Sequence, residues 1–177
     1  TLKKATPLIF LLLQSFLIFS QNENIFSDSI KAERMYFNAV DLGRNRMHEE
    51  ALDSFFVSLA LRKQFYGKEH YELRLVYNGI AIQYRSLGEY DLALKYYNLT
   101  EKCYIAGDKF NKRAKTGLYT NIGNVYRSKL DYNQALLYFN RTLQAYREDQ
   151  ESTIEDIASV NYKIADIYYL INDYSKA

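Results

Sequence analysis

Residues 80–97, IAIQYRSLGEYDLALKYY, decide the fold, because almost the same pattern returns at 122–139 as IGNVYRSKLDYNQALLYF. In both stretches apolar residues recur three and four positions apart on either side of a short polar break, which is typical of two consecutive amphipathic helices. The alanine after the break recurs every 42 residues, at Ala51, Ala93, Ala135 and Ala177. The chain is therefore predicted to consist of repeats, each folding as a pair of helices.

Further columns keep the same register. A small residue lies twelve positions before each alanine, and mostly aromatic residues lie three before it and four after it. These columns are Ala39, Ala81, Gly123 and Ala165; His48, Tyr90, Tyr132 and Tyr174; Phe55, Tyr97 and Phe139. Small residues let the two helices of a unit approach closely, while aromatic rings fill the surrounding space. We therefore expect these columns to form the core.

The pattern resembles the tetratricopeptide repeat (TPR), and its 42-residue period resembles the longer, kinesin-light-chain type of that repeat. The resemblance implies an all-α superhelical solenoid of about three and a half repeats. The predicted units span 32–73, 74–115, 116–157 and a truncated 158–177, and Ser152 to Glu155 fits a helix-capping box before the fourth unit. HEAT-like repeats are the other helical possibility.

The first twenty residues differ from the rest. Lys3 and Lys4 precede an apolar run at 7–19, and Ser20 stands before a polar segment. Such a basic start, short apolar run and small residue are typical of a secretory signal peptide. A retained membrane anchor is the alternative, although the run is shorter than the roughly 20 residues that span a bilayer.

We therefore expect a signal peptide at 1–20, a polar linker at 21–28 and the repeat array at 29–177. The protein is expected to be exported to the periplasmic or extracellular side, with membrane attachment only through a retained leader or a downstream segment. Because the fourth unit stops at its column alanine, we expect this chain to be the N-terminal part of a longer one.

Composition and motifs argue against several kinds of chemistry. Of 23 basic residues two lie in the leader, so 21 remain against 21 acidic residues, which gives no general attraction to nucleic acid. The sequence has no phosphate-binding glycine loop, no metal-spaced Cys and His set and no nucleophile motif. We expect no enzymatic activity in this segment, no cofactor and no metal.

The TPR resemblance implies that the array binds a protein or peptide along its concave face, which is lined by the first helix of each unit. Side chains next to the packing columns are expected to point into this groove. The rows are Tyr36, Asn78, Thr120 and Tyr162; Val40, Ile82, Asn124 and Asp166; Arg85 and Arg127; Asn121 lies beside them.

Two residue types in these rows suit a peptide partner. An Asn side chain offers both a donor and an acceptor to an extended backbone. Arg85 and Arg127, one repeat apart, suit carboxylates or phosphates, unless they form a solvated row paired with nearby acidic residues.

A protein- or peptide-binding scaffold is the expected function. The alternative is the ligand-sensing region of a signalling protein with a downstream histidine kinase, helix-turn-helix or caspase-like peptidase domain, and a purely structural scaffold is a third possibility.

Overall fold

The computed structural model describes the backbone of residues 5–107, 112–147 and 153–174, and within these ranges the side chains from residue 23 onward except 24, 112, 173 and 174. The described residues are almost entirely helical and contain no strand. The helices are α1 (Ala5–Arg44), α2 (His48–Tyr66), α3 (Arg74–Ser86), α4 (Tyr90–Ala106), α5 (Lys112–Ser128), α6 (Tyr132–Arg147) and α7 (Ile154–Tyr174), with a 3₁₀ turn at Tyr71–Leu73.

The helices pack as consecutive pairs. Helix α1 packs on α2, α3 on α4 and α5 on α6, and each pair also contacts the next one. These pairs are the first three predicted units, and α7 is the first helix of the fourth. The all-α solenoid predicted from the repeat is therefore confirmed.

Two of the three repeat columns form the core where both helices of a unit are described, whereas the third column, His48, Tyr90 and Tyr132, is only half-buried. Ala81 and Tyr97 are fully buried, and so are their equivalents in the neighbouring units that the structure describes in full. A Cβ atom on Gly123 would lie 2.7 Å from Cε1 of Phe139, so the two helices of the third unit approach as closely as the small column predicted. Ala165 of α7 is exposed instead. The column position that would cover it, Ala177, lies outside the described residues.

The turn between the paired helices has the same backbone conformation in all three units. Arg46, Gly88 and Leu130 stand 42 residues apart, and their φ angles are 63°, 82° and 62°. Each of these residues lies in the left-handed region, where only glycine is free of steric cost. The glycine of the second unit is thus the residue that suits the turn best.

Helix boundaries differ from the sequence expectations in detail. Helices α5 and α7 begin four residues before the predicted units at 116 and 158. The capping box predicted at Ser152–Glu155 forms one residue later, because the Thr153 hydroxyl accepts from Asp156 N at 3.2 Å while Asp156 Oδ2 accepts from Thr153 N at 3.0 Å. A Thr and Asp pair can satisfy the free N–H groups of a helix start in the same way.

The predicted linker at 21–28 is helical and continuous with α1. The side chains of the predicted signal peptide lie outside the described residues, so that assignment stays a prediction. Among the residues whose side chains are described, no helix is both long enough and apolar enough to cross a bilayer.

Candidate partner-binding groove

A cavity of about 270 Å³ lies where α1, α2 and α3 meet. Four residues of the predicted groove rows line it: Tyr36, Val40, Asn78 and Ile82. The aromatic ring of Phe55 and the side chain of Leu75 add to its apolar wall. We call this space the groove cavity. Its lining is chiefly apolar with a few polar groups, which is the usual make-up of a site that receives an organic side chain.

A polar pair that sequence reasoning missed forms one wall of the groove cavity. His48 Nδ1 lies 2.8 Å from Gln83 Oε1, and the Gln83 side chain is buried. Because an amide oxygen can only accept, the imidazole donates from Nδ1 in this arrangement. A Cβ on Gly43 would lie 2.7 Å from Gln83 Nε2, so the glycine leaves room for the amide.

A second, smaller cavity of about 140 Å³ continues between α3, α4 and α5. Two predicted residues line it, and they bond to each other across the repeat boundary: Asn121 Nδ2 donates to Asn78 Oδ1 at 3.3 Å. Among the described residues, the NH₂ group of Asn78 and the carbonyl oxygen of Asn121 make no hydrogen bond. The pair therefore presents N–H donors and a carbonyl acceptor, the two kinds of group that pair with a peptide backbone.

The two predicted arginines have different surroundings. Arg127 forms an ion pair with Asp166 of α7, with Nη2 at 2.5 Å from Oδ2. Arg127 thus belongs to a row paired with acidic residues, the alternative left open by the sequence. Arg85 is one repeat earlier and half-buried, and no acidic residue in the described part of the chain forms an ion pair with it.

The neighbour of Arg85 is the hydroxyl group of Tyr97. Burial raises the pKa of Tyr97 to about 12, although the nearby Arg85 guanidinium acts in the opposite direction. Tyr97 Oη is buried without a hydrogen bond of ordinary geometry, and it is the one such side-chain atom among the described residues. Its equivalents in the first and third units, Phe55 and Phe139, have no hydroxyl group.

The remaining predicted groove residues do not join the groove cavity. Asn124 lies half-buried on α5, and the Thr120 hydroxyl donates to Thr142 Oγ1 of α6 at 3.4 Å. Tyr162 of α7 is 75% exposed and lines neither of the two cavities. The predicted groove residues that line the two cavities thus belong to the first three units.

Two pairs of tyrosine rings stack between the paired helices of the second and third units. The rings of Tyr84 and Tyr96 are 5.6 Å apart at an interplanar angle of 19°, and those of Tyr126 and Tyr138 are 5.5 Å apart at 17°. The same stack thus recurs one repeat later. These ring faces contact each other and contribute to the packing between the paired helices.

The one cysteine of the chain is buried, and the described residues contain no cluster of metal ligands. Cys103 is fully buried, and burial raises the pKa of its thiol to about 11, so the reactive thiolate is disfavoured at neutral pH. No group of three or more His, Cys, Asp or Glu side chains in the described ranges could hold a metal ion.

Solved structures share this architecture. BtubC (BKLC) from P. vanneervenii, a kinesin-light-chain-like TPR protein, superposes with a TM-score of 0.71 at 18% identity over 82% of this chain. This chain spans 58% of the length of BtubC. The Sgt2 TPR domain from Aspergillus fumigatus superposes with a TM-score of 0.57 at 10% identity, over 82% of each chain.

No protein-family model matches the sequence, and no curated protein matches it. The structural likeness, the helix pairs and the repeat columns agree on one architecture. The chain has the tetratricopeptide-repeat fold, as its sequence predicted.

Proposed function

We propose that this helical repeat scaffold binds an extended segment of a protein partner across α1, α3 and α5. The observation that supports this proposal is the groove cavity, whose apolar wall is formed by residues from all three helices of the junction between the first and second units. Four of its lining residues belong to the first-helix rows through which TPR arrays generally bind their partners.

The two cavities suit different parts of a peptide. The groove cavity takes an apolar or aromatic side chain, because Val40, Ile82 and Phe55 line it. Full burial of such a side chain contributes about 1.5–3 kcal/mol. The Asn78–Asn121 pair takes the peptide backbone, because the NH₂ group of Asn78 and the carbonyl oxygen of Asn121 make no hydrogen bond within the described chain. Side-chain fit and backbone hydrogen bonds together select an extended peptide over a free amino acid.

Selection from a phage-displayed random dodecapeptide library on the folded protein tests the proposal. The selected peptides are then measured against Val40→Trp, which places a larger side chain in the groove cavity. Val57→Trp is the matched control, because Val57 of α2 is exposed and lines none of the described cavities. The chain has no natural tryptophan, so the fluorescence of each introduced indole reports whether it is buried.

We expect Val40→Trp to weaken peptide binding at least about tenfold, the equivalent of roughly 1.4 kcal/mol, and Val57→Trp to leave it unchanged. Thermal melts of both variants establish that they are folded. Failure to select any peptide, or equal affinity for the two folded variants, would contradict the proposed function.

A further inference from the structure

The ion pair between Arg127 and Asp166 shows how a carboxylate is received on this face of the array. Arg127 belongs to α5 and Asp166 to the first helix of the next unit, and the distance of 2.5 Å is short for a charge-assisted hydrogen bond. The Arg127 side chain is 46% exposed and that of Asp166 is 26% exposed. The pair therefore lies at the surface of the groove and not in the core.

The equivalent pair one repeat earlier lacks its carboxylate. Counting back 42 residues from Arg127 gives Arg85, and counting back from Asp166 gives Asn124. An amide carries no charge and cannot pair with a guanidinium as a carboxylate does. Arg85 thus has the position of a paired arginine without the acidic partner.

The surroundings of Arg85 do not supply a substitute. The polar group beside it is the Tyr97 hydroxyl, which contacts the guanidinium but carries no negative charge at neutral pH. Arg85 lies on α3 one turn after Ile82, which lines the groove cavity. A ligand with an apolar group in that cavity therefore has this guanidinium within one helical turn.

We propose that Arg85 anchors an Asp or Glu side chain of the bound protein segment, which takes the place that Asp166 occupies beside Arg127. This inference rests on the proposed function and deepens it, because it gives the partner segment an acidic residue close to its apolar one. The carboxylate of Asp166 already pairs with Arg127 within the chain. Arg127 is therefore not available to an acidic residue of the partner.

Two substitutions change which arginine has a carboxylate beside it within the chain. Asn124→Asp gives Arg85 the internal carboxylate that Arg127 already has, and Asp166→Asn removes that of Arg127. Each substitution exchanges an amide NH₂ group and a carboxylate oxygen, so it keeps the size of the side chain and adds or removes one negative charge. The library selection described above is repeated on the wild type and on each variant.

Wild-type protein is expected to select peptides with Asp or Glu at one fixed position relative to the apolar residue. The most enriched peptide should bind about two- to fivefold more tightly than its Gln or Asn twin, which is the range of an exposed ion pair. That ratio should fall to about one on Asn124→Asp and on Arg85→Met. On Asp166→Asn, a second acidic position should become enriched.

The outcomes separate the two proposals. If wild-type protein selects peptides that carry no acidic preference, or if the preference persists on folded Asn124→Asp, the anchor at Arg85 is refuted while peptide binding stands. If no peptide is selected, both proposals fail. Melting curves of each variant confirm that the comparison is made between folded proteins.

Discussion

The turn inside each unit predicts that replacing one glycine lowers stability even where there is space for a side chain. Gly88 has a φ of 82°, and a Cβ atom added to it would meet no other heavy atom within 4 Å. Steric clash with the rest of the protein therefore contributes nothing. The cost of Gly88→Ala comes from the backbone conformation alone.

Its magnitude follows from two opposing terms. A left-handed backbone costs a residue with a Cβ atom about 1–2 kcal/mol. The substitution also restricts the unfolded chain, which returns about 0.4–1 kcal/mol. The free energy of unfolding should therefore fall by about 1 kcal/mol, which lowers the melting temperature of a chain of this size by about 2–4 °C.

Gly117→Ala is the matched control. Gly117 is an exposed residue inside α5, and a Cβ atom there would also meet nothing within 4 Å. Alanine favours a helix interior over glycine by about 0.5–1 kcal/mol, so this variant should melt higher than the wild type. Circular dichroism at 222 nm follows both transitions. Changes of the same sign in the two variants would refute the left-handed turn at Gly88.

Three further predictions concern packing, ionisation and export. Ala93 is fully buried, so Ala93→Leu should overpack the second unit and cost about 1–3 kcal/mol, whereas exposed Lys95→Leu should cost much less; equal shifts in melting temperature would contradict the helix register. The pKa of Tyr97 is raised to about 12 from 10.0, so the contribution of Tyr97 to stability should be constant below about pH 10 and fall as the pH rises toward 12. Tyr97→Phe should reduce that alkaline loss and change the stability at pH 7 little, because the buried hydroxyl makes no hydrogen bond of ordinary geometry and only contacts Arg85; an identical pH profile would contradict this. Expression with residues 1–20 should yield an exported product whose intact mass corresponds to an N-terminus at Gln21, and a cytoplasmic product that retains the leader would contradict the signal-peptide prediction.

The sequence predicted the fold well because helical periodicity and the size of each side chain can be read from residues that lie close together in the chain. The column of Ala39, Ala81 and Gly123 needs no knowledge of the neighbouring unit, since close approach of two helices requires small residues wherever it occurs. The same column also explains why Ala165 is exposed: its burial depends on the second helix of its own unit.

The details of the groove depend on how each unit is positioned against the next one. The repeat pattern in the sequence does not determine that position. The sequence predicts Arg127 and Asp166 as groove residues, but their ion pair depends on α5 and α7 lying side by side. The left-handed turn could be read at Gly88 alone, because Arg46 and Leu130 carry no conformational signal for it. Side chains that interact across units are thus the part that needs the structure.

The groove cavity lies where the repeat departs from its own pattern. Gln83 is buried at a position where the next units have Val125 and Ile167, both fully buried, and its partner His48 stands in a column that is otherwise tyrosine. Departures from a consistent core are found most often at functional sites. Restoring the repeat with the double substitution His48→Tyr and Gln83→Val replaces both members of the hydrogen bond, so no buried polar group is left unpaired.

We therefore expect the double variant to be at least as stable as the wild type in thermal melts, because an apolar contact replaces a buried amide. The larger tyrosine ring should fill part of the groove cavity, so the peptides selected on the wild type should bind at least about tenfold more weakly. The single variant Gln83→Val keeps the original histidine and leaves its Nδ1–H without the Gln83 acceptor, so it should lose about 1–3 kcal/mol of stability. A double variant that is stable and binds peptide as well as the wild type would show that the polar pair at this junction serves packing alone.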